Sequence, residues 1–446
     1  MDDFLKKRQN AIQNIPEKTI NDWVEKMLRY LGGEVWLKKS KNVNHPIVKL
    51  WGRKDAMATN ELVNFAYAVT VMEGIDPKWT AQTMKIVAGR DYNNAHGAIF
   101  EILALSAFAE GGCEVIPAPV GCPGIDGTLR FGDSTVNLSL KYYGMSNAES
   151  NFRALMDNAN RAFVKELCKT GKLSAQIMLS MKRYADTPKE KEAVIKAVRE
   201  AVALYGERAC ITTLESDICN IIMRPIGLYR LAETERSHVF VATSPLHKNE
   251  YKNLSDKIDD ARENLERYRP EQSDSEYNGV VVHLHESADI DAYQKDVQSY
   301  FNSRPDIPIS FVMLYQALIT SDEKNETTSV THIIKPVFSV ERVIKPKGPR
   351  PVPRIEFFLG NGTDEPPKKL LCADGRSIVE LKNVYYYQKG EIFQQAEVFS
   401  DGSIGGTLSS LSPGIKLSAV MPPIGPKHQR LTIRPITNEL PHLEIT

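Results

Sequence analysis

Two stretches near the N-terminus, Thr19 to Leu31 and Ala58 to Met72, place apolar residues at helical spacing, so residues 1 to about 90 are expected to be mostly helical. A denser run, Gly97 to Glu110, is apolar at nearly every position and predicts a buried helix stopped by Gly111 and Gly112. The Pro- and Gly-punctuated segment VIPAPVGCPG follows, and then two alternating runs joined by Gly132-Asp133-Ser134, the pattern of a β-hairpin. Helical spacing returns over Ala148 to Cys168 and Pro188 to Tyr205, with Ser174 to Leu179 a short strand between them. Beyond these, HVFVAT (238–243), a charged helix over Asn253 to Tyr268, GVVVHLH (279–285), a helix over Ile290 to Phe301 and ISFVMLY (309–315) alternate strand with helix. Such alternation is the mark of an α/β layer.

Four prolines within Lys345 to Arg354 (KPKGPRPVPR) forbid helix and favour an extended chain, which places a domain boundary there. The remainder is rich in short strands and turns: SIVELKNVYYYQ, EIFQQAEVF, the Asp401-Gly402 turn, GIKLSAVM and QRLTIRP. The expected organisation is a helical region over 1–90, an α/β domain over 91–342 with a helical insertion around 148–206, a Pro-rich basic linker over 343–354, and a small all-β domain over 355–446. The length of 446 residues, about three times a ~150-residue domain, agrees with several such parts.

A chain that is 42% hydrophobic and 25% charged is neither largely disordered, collagen-like nor membrane-spanning. Lys plus Arg (56) equals Asp plus Glu (56), so nucleic-acid binding would have to come from local patches rather than a global field. The N-terminus, MDDFLKKRQNAIQNIPEK, lacks the apolar core of a secretory signal, and a cytoplasmic location without membrane attachment is expected. None of the six cysteines forms a CxxC pair or stands near a His at zinc-ligand spacing, so reduced, mostly buried thiols are expected.

The hairpin carries the chemistry. With period two, Ile125, Leu129 and Phe131 share one face of its first strand while Asp126, Thr128 and Arg130 share the other. On the second strand Val136, Leu138, Leu140 and Tyr142 face the core, and Asn137, Ser139 and Lys141 face the opposite way. Asp126 then approaches Ser139 and Lys141 across the pair, an arrangement suited to a metal beside a water-positioning cation. Upstream, Glu101 lies in a helix otherwise made of Ala, Ile, Phe and Leu, where a carboxylate is costly unless it is paired, hydrogen-bonded or bound to metal.

A Glu on a helix, an Asp at a strand start, and a short hairpin leading to Ser-x-Lys resemble the PD-(D/E)XK nuclease superfamily, on Glu101, Gly124-Ile125-Asp126 and Ser139-Leu140-Lys141. The spacing is similar to that of archaeal Holliday-junction resolvases and many restriction endonucleases. The resemblance implies a restriction-endonuclease-like core, a mixed sheet flanked by helices, and metal-dependent hydrolysis of phosphodiester bonds. It implies Mg²⁺ or Mn²⁺ held by Glu101, Asp126 and the Leu140 backbone carbonyl, with Lys141 orienting the attacking water. No proline directly precedes Asp126, and Ser139 stands where an acid is commonest. Some restriction enzymes with Ser here recruit a carboxylate from elsewhere, for which Glu101 is the first candidate and Glu149 a weaker one. DNA is the favoured substrate, in a bacterial restriction or anti-phage setting. A homodimer and a defence partner of the short-Argonaute type are the associations this implies, and a catalytically degenerate scaffold is the alternative.

Further residues carry weaker signals. Asn93, Asn94 and His96 precede the Glu101 helix and can touch a phosphate, with helix capping by Asn94 the preferred account. His283 and His285 share a strand face, as a metal pair or, in the preferred reading, as a solvated or satisfied one. Arg153, Arg161, Lys165 and Lys169 line the next helix among acids that dilute them, as phosphate-backbone contacts or, equally, an ordinary charged face. Arg342, Lys345, Lys347, Arg350 and Arg354 form a cleaner basic excess for nucleic-acid contact near the linker, with a solvated linker the preferred reading. Tyr385 to Tyr387 offer a stacking surface for bases, with a core role the preferred reading because alternation buries at least one of them.

Overall fold

The chain opens, in this computed structural model, with helices α1 (Glu17–Leu31), α2 (Glu34–Leu37), α3 (Pro46–Gly52), α4 (Ala56–Ile75), α5 (Pro77–Val87) and α6 (Tyr92–Glu110). The structure describes residues 4–8, 12, 15–39, 42, 45–54, 56–132, 134–171, 175–208, 210–225, 238–268, 276–285, 288–322, 327–339, 362–363, 368–372, 378–380, 383–389, 395–398, 404–409, 416–421 and 432–434. Helix α1 buries Ile20, Val24, Met27, Leu28 and Leu31, one stripe at helical spacing, and ends where Gly32 takes a φ of 93°. Helix α5 starts on Pro77, with the Asp76 side chain accepting from the Trp79 N–H at 2.9 Å.

Strands β1 (Glu114–Pro117), β2 (Gly127–Phe131) and β3 (Ser134–Tyr143) follow. Next come α7 (Asn147–Lys169), β4 (Ala175–Met181), α8 (Pro188–Arg208), β5 (Thr212–Glu215), β6 (Cys219–Arg224) and β7 (His238–Pro245). After them stand α9 (Lys252–Tyr268), β8 (Glu276–Leu284), α10 (Ile290–Ser303), β9 (Phe311–Asp322), β10 (Thr327–Phe338) and β11 (Gly362–Thr363). The last strands are β12 (Lys368–Cys372), β13 (Ile378–Glu380), β14 (Val384–Lys389), β15 (Gln395–Val398), β16 (Ile404–Ser409), β17 (Lys416–Met421) and β18 (Thr432–Arg434). These elements form a mixed α/β structure of two units, one comprising Met1–Gly144, Tyr251–Pro366 and Pro435–Thr446, the other Met145–Glu250 and Pro367–Arg434.

The first unit is built on a mixed sheet in the order β1-β2-β3-β8-β9-β10-β11. β1, β2 and β3 run antiparallel, while β8 pairs parallel with both β3 and β9. Helix α6 and the N-terminal helices cover one face, in a core that takes in Leu129, Val136, Leu138, Leu140 and Val281. Helices α9 and α10 cover the other, where Val280, Val282 and Leu284 meet Leu254 and Ile258. The alternation expected along β3 is therefore present, but both faces are buried. Ile125 departs from it, since it joins the cluster on the α9 and α10 face rather than that of Leu129. The chain bends at Gly124, with φ 104°, before the strand begins at Gly127, so the alternation does not extend back to Ile125.

The second unit contains a five-stranded sheet, β14-β7-β4-β6-β5, and a six-stranded one, β13-β12-β15-β16-β17-β18. The expected helical insertion is thus part of an α/β unit, and β14, from the stretch expected to be a separate all-β domain, pairs with β7. Tyr385 and Tyr387 fall on one side of β14, buried with Phe152, Phe163 and Phe240, while Tyr386 packs against Val239 and Val241 on the other. Their role is core packing. The linker over 343–354, with Lys345, Lys347 and Arg350, lies outside the described residues, as do Arg342, Arg354 and the Asp401-Gly402 turn. Cys122, Cys168 and Cys210 are exposed, against the expectation of mostly buried thiols, because they stand in a loop, on the outer side of α7 and after the end of α8. No helix among the described residues is long and apolar enough to cross a membrane.

Candidate active site

Helix α6 starts at Tyr92, five residues before the expected Gly97, because the Asp91 side chain accepts from the N–H groups of Asn93 and Asn94 at 3.1 and 3.2 Å. Asp91 is therefore the cap, and Asn94 is an exposed first-turn residue whose Nδ2 donates to Asp91 Oδ2. Farther along, Ala98, Ile99, Phe100 and every residue from Ile102 to Phe108 are buried, with Glu101 half-buried among them. One turn past Glu101, Leu105 presses on the start of β2: a Cβ at Gly127 would lie 2.8 Å from Leu105 Cδ2. A side chain at 127 would require the Leu105 tip to shift, and Asp126, the residue before it, lies near enough to Glu101 for their charges to interact.

Asp126 is fixed on both sides. Its N–H donates to the Leu138 carbonyl at 2.8 Å, and its own carbonyl accepts from the Ala118 N–H at 3.0 Å. The carboxylate turns to β3, where Oδ2 accepts from the Leu140 N–H at 2.6 Å and the Ser139 hydroxyl hydrogen-bonds it as well. In a strand, the N–H and C=O of one residue point to the same edge, so the Leu140 carbonyl faces the Asp126 side too. Lys141 stands half-buried beside the pair and acts on both carboxylates through its charge.

The electrostatics are those of two acids held together against their preference. Burial first, and the Asp126 charge second, push the Glu101 carboxyl up to about 8, with Lys141 opposing. Burial also raises Asp126, against Lys141, the Leu140 N–H and the Ser139 hydroxyl, which all favour its charged form. A divalent cation with a preference for oxygen ligands would reverse that penalty, so the donor set fits Mg²⁺ or Mn²⁺ through Glu101, Asp126 and the Leu140 carbonyl, water completing the shell. No group of three His, Cys, Asp or Glu side chains suited to a metal ion occurs among the described residues.

Sequence reasoning missed two features here. His96 stacks on Tyr142 with ring centroids 4.9 Å apart, and Tyr142 on His283 at 5.0 Å, because Tyr142 and His283 are register partners on β3 and β8. His283 is 2% exposed, and neither ring nitrogen finds a hydrogen-bond partner beyond the residue's own backbone among the described residues, so this imidazole, unlike the half-buried His285, is neither solvated nor satisfied. Burial pulls its imidazole down to about 3 and that of His96 to about 4. Lys257 is the second feature, half-buried on α9 and near enough to Lys141 for their charges to repel. A lysine on the apolar stripe Leu254, Ile258, Ala261 and Leu265 was the available signal.

Arg153 and Lys169 are in the second unit. The Arg153 Nε and Nη2 donate to Glu149 Oε1 at 3.0 and 2.9 Å, and Glu149 is thereby committed to α7. Lys169 is likewise paired, with Glu166. Comparison of the chain with protein-family models, with curated proteins and with solved structures gave no match.

Proposed function

We propose that this protein is a metal-dependent endonuclease of the PD-(D/E)XK type, hydrolysing phosphodiester bonds, with DNA the favoured substrate. The observation that carries the reading is the convergence of Glu101, Asp126, Ser139 and Lys141, drawn from α6, the start of β2 and β3, on one point of the first unit's sheet. The mixed sheet with helices on both faces supports a restriction-endonuclease-like core around it. A Mg²⁺ or Mn²⁺ bound there would neutralise charge on the phosphoryl oxygens and make water more acidic.

The chain's own residues do the rest. Glu101 and Asp126 supply the carboxylate oxygens, and the Leu140 N–H and Ser139 hydroxyl hold Asp126 in one orientation, which spares the site a rearrangement at the moment of reaction. The departure at Ser139 is accommodated in this way: it serves as a donor to Asp126, while Glu101 provides the second acid. The Lys141 ammonium hydrogen-bonds the attacking water and steadies the negative charge that develops as the bond to phosphorus forms.

End-labelled single- and double-stranded DNA and RNA, incubated with Mg²⁺, Mn²⁺ or EDTA, test the proposal. Metal-dependent cutting by the wild type and none by Lys141→Ala is the expected result; cutting by that variant at the wild-type rate would falsify the assignment. A second reading, a nuclease fold kept as a binding scaffold, draws on Ser139, which stands where an acid is commonest, and on the balance of 56 basic and 56 acidic residues. Calorimetric titration with Mg²⁺ or Mn²⁺ separates the two, since heat that disappears in Asp126→Asn belongs to a working site.

A further inference from the structure

Helix α9 packs against β3 and β8, and its stripe of Leu254, Ile258, Ala261 and Leu265 sits in the core on that face of the sheet. Lys257 follows Leu254 by three residues and precedes Ala261 by four, so it lies on the same face as the stripe and points toward the sheet. On β3, Tyr143 belongs to that core too, and Lys141, two residues earlier, faces the same way. Two half-buried ammonium groups thus approach each other from facing elements. Lys141 is compensated by Glu101 and Asp126, whereas the acid acting on Lys257 is Asp260, which is exposed on the helix. Burial, and after it the facing Lys141, pull Lys257 below the usual lysine range.

We propose that Lys257 and Lys141 form an anion site that takes a phosphoryl oxygen of the substrate, with Lys257 the residue that grips the phosphate beside the two carboxylates. The proposal rests on the nuclease reading for its substrate, but the anion site itself can be measured without cleavage. A phosphate between the two ammonium groups would turn their repulsion into two charge-assisted hydrogen bonds. A lysine that merely lays its stem along the sheet would gain nothing from such an anion.

The test uses the full chain in EDTA, unfolded thermally with increasing inorganic phosphate at constant ionic strength. Phosphate should raise the Tm of the wild type and of Lys257→Arg, and leave that of Lys257→Ala unmoved. Without phosphate, Lys257→Ala should be at least as stable as the wild type, because a buried repulsion has gone. With Ca²⁺ replacing Mg²⁺, a labelled oligonucleotide should bind Lys257→Ala on the order of tenfold more weakly, by fluorescence anisotropy. An equal phosphate response in wild type and Lys257→Ala, or none in the wild type, overturns the anion site. A wild type that responds to phosphate but cuts no nucleic acid with any metal would instead sink the nuclease reading and leave the anion site standing.

Discussion

In the second unit the buried Glu250 accepts from the Ser146 hydroxyl at 2.8 Å and from Tyr385, the buried Glu149 is bound by Arg153, and Asp157 accepts from Tyr387. In the first unit Glu101 and Asp126 are set against each other, Lys257 faces Lys141, and the buried His283 ring finds no hydrogen-bond partner beyond its own backbone among the described residues. Both units come from one chain and both bury acids, so the contrast is not one of composition. Ser146 caps α7, and Tyr385 and Tyr387 hold β14 in its sheet, so these polar groups serve the fold. Around Asp126, polar groups are concentrated in spite of the fold, and such local frustration is characteristic of a site kept for a ligand.

Substitutions at the site should separate activity from stability. Glu101→Gln, Asp126→Asn and Lys141→Ala are each expected to lower the cleavage rate on the order of 10²-fold or more. In EDTA and above about pH 8, where both carboxyls are charged, the first two should unfold at or above the wild-type temperature, because each removes one of two like charges that repel. Glu250→Ala should do the reverse in stability: stranding the Tyr385 and Ser146 hydroxyls costs about 2–3 kcal/mol, measured by urea denaturation. If Glu101→Gln proves as damaging as Glu250→Ala, the contrast between the units fails.

A smaller effect addresses how the site is held. Gly127→Ala places a methyl against Leu105 and should cost about 1–3 kcal/mol, and combining it with Leu105→Ala should cost less than the sum of the two. Strict additivity in that cycle would mean that a methyl at 127 does not meet Leu105.

The smallest effect at neutral pH concerns His283. Its pKa falls from 6.5 to about 3 on folding, so the unfolded chain binds the extra proton. The stability tied to its neutral form is whole above about pH 6.5 and drains away as pH falls toward 3. His96 acts in the same sense. His283→Phe should therefore flatten the acid side of the Tm profile, and an unchanged slope would show that His283 is hydrated in solution.

Much of this was legible beforehand. The strands and helices of the α/β layer stand close to where periodicity puts them, because each buries its own stripe, and alternation along β3 divided Leu138 and Leu140 from Ser139 and Lys141 correctly. What escaped was non-local. Nothing near Val384 indicates that β14 pairs with β7, and nothing near His283 reveals Tyr142 as its neighbour. Asn94 lost the cap to Asp91 because both are good capping residues and the chain turns at the earlier one.

The parallel pairing of β3 with β8 also sets a clock. Asn137 and Asn278, which hydrogen-bond across that ladder, are 141 residues apart. Every residue proposed for catalysis has therefore left the ribosome well before its strand acquires a neighbour on that edge, and before α9 arrives to cover the face that Lys141 occupies. At about 5–20 residues per second the interval is roughly seven to thirty seconds. A nascent chain carries the complete set of candidate groups through that interval on an unfinished sheet, so the proposed site is completed only after most of the polypeptide has been made.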